Sequence, residues 1–475
     1  MALRDQIPES KAQFPDPVFG VNLRSADDDL QPGEAKKMEN LVFDGGTRSR
    51  TGSIYLNPGG ISYGDFGIKG GHKYYFGGPA PQSARLIAYD TKISKISGTG
   101  AETVLTSGMT SNRDTFFTTW SITDKVYIGN NVDTLRQYDG NTDTFETVTS
   151  STSNPIPVAR TGVFPILDRL MCITTDGIER TDPRNPTSWS HNSSWATLRP
   201  SLVGLFTHAA PFTIRGTDTL YPGLIAFQSN AYYVITGSNF GSDVTSAAAS
   251  LGEDASIKLL DSKVGTSSPY SVCSVPGVGL FWFTSDFNVF WLPDGSLTGQ
   301  YIGDKIQSTQ SSPTGIESVN PAALSQVWMT YQYPFLMLGV PMGSGLYSTQ
   351  QWWLDVRRFP KDVVWYGPMT GQSIGRAWAE NQNGDNAIYA GEGNPTTGAF
   401  VYQLRVPGNF TDANGATVAD IRRSYRTPFP SFGWPSRQKY LHHINFDLYM
   451  PVGSATCDLH DLDHTIATDL PITAV

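Results

Sequence analysis

Residues 268–306, SPYSVCSVPGVGLFWFTSDFNVFWLPDGSLTGQYIGDKI, constrain the fold of this chain more than any other stretch. Four short apolar bursts lie in it, residues 270–275, 278–284, 288–292 and 298–302, separated by Pro276-Gly277, Ser285-Asp286 and Pro293-Asp294-Gly295. These separators are turns, because Gly accepts a positive φ, Pro fixes φ and Asp bonds its own backbone. Bursts of that length, rich in Phe, Trp, Val and Tyr, are strands by size and residue type. Four antiparallel strands in about 40 residues make one blade of a β-propeller.

The same pattern recurs along most of the chain. A first irregular blade is expected from residues 73–77, 85–89 and 102–105, and a cleaner one from 115–120, 125–129, 135–138 and 144–148. The second has turns at Thr123-Asp124, Asn130-Asn131 and Asp139-Gly140-Asn141. Residues 162–167, 169–174 and 178–181 follow, ended by the breaker cluster 182–186. Residues 202–206, 224–228 and 231–236 open another blade, which carries an Ala/Ser/Gly-rich insertion over 238–255. After the 268–306 blade come 322–331, 335–340, 351–355 and 363–367, then 373–379, 387–390 and 401–404. The expectation is an all-β chain, a β-propeller of six or seven blades over residues 63–407. A non-propeller N-terminal arm covers 1–62. Residues 408–475 form a small C-terminal β-element or supply strands that close the ring. One short helix is expected to open at Leu30-Gln31-Pro32-Gly33-Glu34-Ala35 and run to about Asn40, and a strand over 41–43 turned by Asp44-Gly45-Gly46.

Composition agrees. Only 16% of residues are charged, while Gly numbers 47 and aromatics reach 12%, a balance of turns and pleated-surface residues. Each four-stranded unit exposes two apolar faces that only stacked neighbours can cover. The net charge of −9 argues against a surface that grips nucleic acid, since phosphate contacts need clustered Lys and Arg. An acidic protein can still handle DNA if its task is to let DNA slide past without sticking. Three cysteines, Cys172, Cys273 and Cys457, are too sparse for a disulfide framework and read as free thiols in strands. The first 20 residues hold no apolar core of a secretory signal, and no run approaches 18 apolar residues, so no membrane insertion is expected.

Chemistry-bearing motifs are few. Cys457, His460 and His464, interleaved with Asp458, Asp461 and Asp463, are the densest ligand cluster, but their spacing fits a polar edge strand better than a metal site. Asp27, Asp28 and Asp29 lack calcium-loop spacing, and His442-His443 point to opposite faces of a strand. No nucleophile elbow, phosphate loop or zinc-protease motif occurs. Asp286 and Asp355 are the acids a propeller glycosidase would need, and Trp352-Trp353 the pair that could stack a sugar. A turn or edge role for the acids and a blade-interface role for the tryptophans are the plainer readings. No catalytic residue, cofactor or metal is expected. Arg48 and Arg50 are either a solvated strand edge or a docking contact to an acidic neighbour.

Two segments carry a family resemblance. FGVNLRSADDDLQPGEAKKMENLVFDGGTRSRTGS, residues 19–53, resembles the opening of many phage tail and head-closure proteins. Residues 203–306 resemble the core of the packaged-DNA stabilisation, or tail hub (nozzle), proteins of short-tailed bacteriophages. The matching elements are Gly204-Leu205-Phe206, Ile225-Ala226-Phe227, Tyr233-Val234-Ile235-Thr236-Gly237 and Phe281-Trp282-Phe283. Similar length and order extend the likeness over most of the chain. It implies a virion protein with no catalytic residues, a ring homo-oligomer, commonly a hexamer, below the portal and its adaptor. Such a ring extends the DNA channel, helps retain packaged DNA and anchors a spike, fibre or needle. The arm residues Phe19, Asn22, Leu23, Arg48 and Arg50 are then the docking candidates, and removing residues 1–50 is expected to leave the blades folded but unable to dock. A sugar-binding propeller, either a lectin or a receptor-binding protein, is the alternative, followed by a propeller glycosidase.

Overall fold

The alternation of apolar runs with Asp, Asn and Gly turns folds into seven four-stranded antiparallel sheets, a seven-bladed β-propeller. The computed structural model describes residues 16–426 apart from interior gaps, of which 190–201 and 238–254 are the longest, and residues 455–460 and 465–472. Ahead of the blades come β1 (Lys37–Glu39), β2 (Leu41–Phe43), β3 (Thr47–Ser49) and β4 (Ile54–Tyr55). The first blade is β5 (Ile68–Phe76), β6 (Gln82–Tyr89), β7 (Lys92–Ile96) and β8 (Glu102–Thr106). The second is β9 (Phe116–Trp120), β10 (Lys125–Gly129), β11 (Arg136–Asp139) and β12 (Thr144–Thr147). The third is β13 (Val163–Ile166), β14 (Arg169–Ile173), β15 (Ile178–Asp182) and β16 (Asn185–Trp189). The fourth is β17 (His208–Arg215), β18 (Leu220–Phe227), β19 (Tyr232–Gly237) and β20 (Ala255–Asp261). The fifth is β21 (Cys273–Val275), β22 (Gly279–Phe283), β23 (Val289–Pro293) and β24 (Gln300–Tyr301). The sixth is β25 (Trp328–Gln332), β26 (Phe335–Val340), β27 (Gln350–Asp355) and β28 (Trp365–Met369).

The seventh blade closes the ring with a strand from the other end of the chain. It takes β29 (Ile374–Glu380), β30 (Ala387–Glu392) and β31 (Val401–Leu404) in sequence, and its fourth strand is β4, with Tyr402 opposite Tyr55 and Gln403 opposite Ile54. The closing strand therefore comes from the segment read as a non-propeller arm, not from residues beyond 407. Residues 13–429 form one compact unit. Within it, β32 (Thr411–Asn414) and β33 (Thr417–Asp420) make a hairpin, and β34 (Ser424–Arg426) pairs with β1. A second unit joins residues 1–12 and 430–475; in it β35 (Ala455–His460) and β36 (Thr465–Ile472) form an antiparallel hairpin.

Each blade's first strand lies innermost, so β25, β29, β5, β9, β13 and β17 neighbour one another in turn. Apolar side chains fill the seams between blades, as expected for faces that only a neighbour can cover. Tyr74, Leu86, Val126 and Tyr138 fill the seam of blades one and two; Phe212, Ile214, Trp282 and Phe290 fill that of blades four and five. The largest cluster joins blades five, six and seven and includes Val21, Leu23, Ala35, Met38, Leu41 and Val42 of the arm.

Several sequence expectations need correcting. Residues 31–40 form no helix. Gly33, at φ +88°, turns the chain in a way that a right-handed helix excludes, and residues 37–39 extend to pair with β34. The first strand of blade four is β17, not residues 202–206. Pro211 interrupts that run, but an innermost strand has an edge free of ladder bonds, where the missing N–H costs nothing. The same tolerance admits Pro186 in β16, inside the breaker cluster. β7 escaped notice because it is short and carries two lysines. Where turn signals were read, they act as such: Asp124 and Asn131 occupy the left-handed region, at φ 48° and 69°.

The seam of blades seven and one holds a buried acid. Glu392, at the end of β30, is 5% exposed, and its Oε2 has no hydrogen-bond partner. Burial pushes its carboxyl up to about 7, against backbone and Tyr402 hydrogen bonds that favour the anion. The folded chain therefore binds a proton that the unfolded chain releases near its ordinary value, and stability falls as pH rises between roughly 4.5 and 7. Glu392→Gln is expected to stabilise the protein by about 2 kcal/mol at pH 8 and to change little at pH 4. Urea unfolding at the two pH values checks this; an equal effect at both would remove Glu392 as the cause.

Candidate functional site at the ring closure

The arm that carries the docking candidates is built into the propeller by its own sequence. Val21 N donates to Trp365 O at 2.8 Å and Leu23 N to Lys305 O at 2.7 Å, so residues 21–23 run against blades five and six. The close approach needs Gly20, which sits at φ +70°; a Cβ there would lie 2.2 Å from Trp365 O. Asn22 is buried and closes the next turn. Its Oδ1 accepts from the Arg24 and Ser25 N–H groups, and its Nδ2 donates to Glu34 Oε2 at 2.9 Å. Glu34 in turn accepts from Lys305 Nζ at 2.8 Å. Burial raises the Glu34 carboxyl, but the Lys305 and Asn22 hydrogen bonds outweigh it and hold the group below its usual range.

Arg50 is the arm's deepest anchor, 5% exposed. Its guanidinium grips Asp412 with both terminal nitrogens, while Nε donates to Asn40 Oδ1 at 2.8 Å. The remaining N–H groups reach Thr370 O at 2.8 Å and Thr51 O at 3.3 Å, so all five donors are used. A cavity of about 10 Å³ beside Arg50 and Gln372 has room for about one water. The acidic neighbour that Arg50 suggested in the sequence thus belongs to the same chain.

Of the five docking candidates, Asn22, Leu23 and Arg50 are buried in these internal roles. Phe19 is half-buried, with the Arg358 guanidinium 5.1 Å from its ring centre. Arg48 alone is exposed, on β3. Asp412 and Asn40, which the sequence reading passed over, had no local signal, because each lies in a polar stretch typical of loops.

The propeller's axis is crossed by a second cluster. Tyr270, in the 3-10 turn Pro269–Ser271 ahead of β21, stacks on Phe116 at 4.5 Å and lies 4.3 Å below the Arg376 guanidinium. Its hydroxyl donates to the Thr115 carbonyl and, at 3.2 Å, to Lys69 O. Arg376, 1% exposed on β29, pairs with Asp114 at 2.6 Å and donates to the carbonyls of Ser325, Gln326 and Gly375. Blades one, two, five and seven and the segment leading into β25 therefore meet on two side chains. Burial raises the Tyr270 phenol and lowers Lys69 from its ordinary value. A lone Arg in the apolar run Ile374-Gly375-Arg376-Ala377-Trp378 was the available signal, since buried charges are paired.

The remaining candidates fall apart chemically. Trp352 and Trp353 are 0% and 3% exposed, so they offer no platform for a sugar. Asp355 is buried under a bidentate Arg357, whereas Asp286, in another blade, is exposed and accepts from Tyr301 at 2.9 Å. Cys172 and Cys273 are free; burial raises the first well above a normal thiol and the second to about 12. The side chains of Cys457, His460 and His464, residues Asp27 and Asp28, and His442-His443 lie outside the described residues. Among the described residues no group of three or more metal-ligating side chains occurs, and no helix is long and apolar enough to cross a membrane.

No family model matches the chain, and no curated protein does. Solved structures similar to it include U3-55K, at 8% identity and a TM-score of 0.46 over 73% of this chain and 98% of that one. The WD40 repeats of RRP9 match at 9% identity and 0.45, covering 74% and 99%. The extracellular domain of a hybrid two component system from B. thetaiotaomicron matches at 10% and 0.47, covering 77% of this chain and 44% of that one.

Proposed function

We propose that this chain is a structural virion protein, a tail hub or nozzle subunit of a short-tailed bacteriophage. It assembles as a ring, with six copies the expected number, below the portal and adaptor. The ring extends the DNA channel, helps retain packaged DNA and anchors a spike, fibre or needle. The observation that carries this reading is how the arm's resembling residues are used. Gly20, Val21, Leu23, Glu34, Ala35 and Arg50 come from one phage-like stretch and pack or bond against the rest of the compact unit, while Asn22 braces the stretch itself.

Because Tyr270 and Arg376 occupy the propeller's own axis, DNA in this reading passes through the hole of the ring of subunits. The net charge of −9 suits a wall that DNA slides past without specific binding. No catalytic residue, metal or cofactor is assigned. Light scattering and negative-stain microscopy of the purified protein, alone and with portal–adaptor complexes, test the proposal. Rings with a central channel, formed alone or on the connector, are the expected result. A monomer that ignores the connector and is retained on a glycan array would sink it.

A further inference from the structure

The outer end of the arm gathers positive charge on an acidic chain. The β1–β34 register puts Lys37 opposite Arg426, Asn40 Nδ2 donates to the Arg422 carbonyl, and Arg423 Nε donates to Ser49 Oγ at 2.7 Å, one residue from Arg48. Arg48, Arg422 and Arg423 are all exposed, and among the described residues none of the three forms an ion pair. Two carboxylates that feel these charges are already engaged, Glu39 by Lys37 at 2.8 Å and Asp44 by Arg357 at 2.7 Å. Tyr425 and Val418, 39% and 62% exposed, are apolar surface on β34 and on β33, the strand before it in the chain. Arginine and tyrosine beside exposed apolar groups are the composition of an interface anchor.

We propose that this patch is one half of a contact between two copies of the chain. Arg48, Arg422 and Arg423 bring +3 to the patch, so the rest of a chain of −9 carries −12. The rest of a second copy is thus net acidic, the sign of charge that the patch attracts. Two such patches repel each other, so the contact is heterologous, patch to acidic flank, the geometry that generates rings. The same −12 repels nucleic acid phosphates, which makes a protein carboxylate the better partner. The inference rests on the hub reading only in that it names the contact by which the ring would close.

The test is sedimentation velocity of the full chain, the triple variant Arg48→Glu/Arg422→Glu/Arg423→Glu, and a triple Lys variant that keeps the charge, at about 50 mM and about 500 mM salt. The wild type is expected to self-associate at low salt and less at high salt. The Glu variant should self-associate at least about tenfold more weakly with an unchanged melting temperature, and the Lys variant should keep most of the association. Self-association unaltered in the Glu variant would overturn the proposal, as would a wild type monomeric at both salts, or a patch that retains duplex DNA without self-association. A Glu variant that still assembles on portal–adaptor complexes removes the patch but keeps the hub. Self-association through the patch with no affinity for the connector does the reverse.

Discussion

A chain lacking residues 1–50 is expected to come out insoluble or to lose its cooperative melt. The deletion strips six buried apolar side chains, Val21, Leu23, Ala35, Met38, Leu41 and Val42, from the flank of blades five to seven, and the buried Leu30 with them. Their burial is worth roughly 10 kcal/mol, about the whole stability of an ordinary domain. Asp412 would also be left buried without the Arg50 guanidinium that neutralises it. This reverses the expectation, drawn from the sequence, that the arm is dispensable for folding and needed only for docking. Circular dichroism melts and limited proteolysis of the truncated chain decide it. A soluble product melting within about 3 °C of the full chain would show that the arm is an accessory.

The second large effect is expected at the axis. Arg376→Ala removes a buried ion pair to Asp114, the donors to three carbonyls and the cation above the Tyr270 ring. Breaking one partner of a buried pair costs about 3–5 kcal/mol, because the other charge is left without compensation. Asp114 retains some solvent, which places the expected loss near the lower end, about 3 kcal/mol. Arg376→Lys keeps the charge but not the planar fork, so it should recover only part of the loss. Guanidinium unfolding of the three proteins is the measurement; a loss below about 1 kcal/mol for Arg376→Ala would mean that the cluster fills space without bracing the blades.

Much of the architecture was legible because strand length, turn chemistry and aromatic content point the same way within each blade. Residues 268–306 show it best: every burst read there contains a strand or, at residues 270–275, a 3-10 turn followed by one. Legibility failed where tertiary pairing decides conformation. Residues 37–39 look helical beside Glu34 and Ala35, yet become a strand because residues 424–426 lie alongside them. β4 has two residues and no pattern of its own; only an unfilled fourth position in blade seven defines it. The docking candidates failed for a related reason. An Arg or Asn in an arm gives no sign of whether its partner is another protein or a residue such as Asp412, hundreds of positions away. Arg48 and Arg50 are two residues apart on one short segment, yet one is exposed and the other is the most fully bonded cation of the arm.

The strand that completes blade seven is made first and its partner last. Asn57, just beyond β4, accepts from the Val401 N–H, 344 residues later in the chain. At ordinary rates of synthesis that interval lasts on the order of tens of seconds. Throughout it, the β4 edge has no partner on its own chain, while blades one to six can already stack. Closing the ring thus joins segments hundreds of residues apart, the kind of non-local pairing that slows folding. In a polysome, where an earlier chain offers a finished blade seven nearby, the waiting β4 is the segment exposed to strand exchange, and dilution during refolding is the condition that favours the closed monomeric ring.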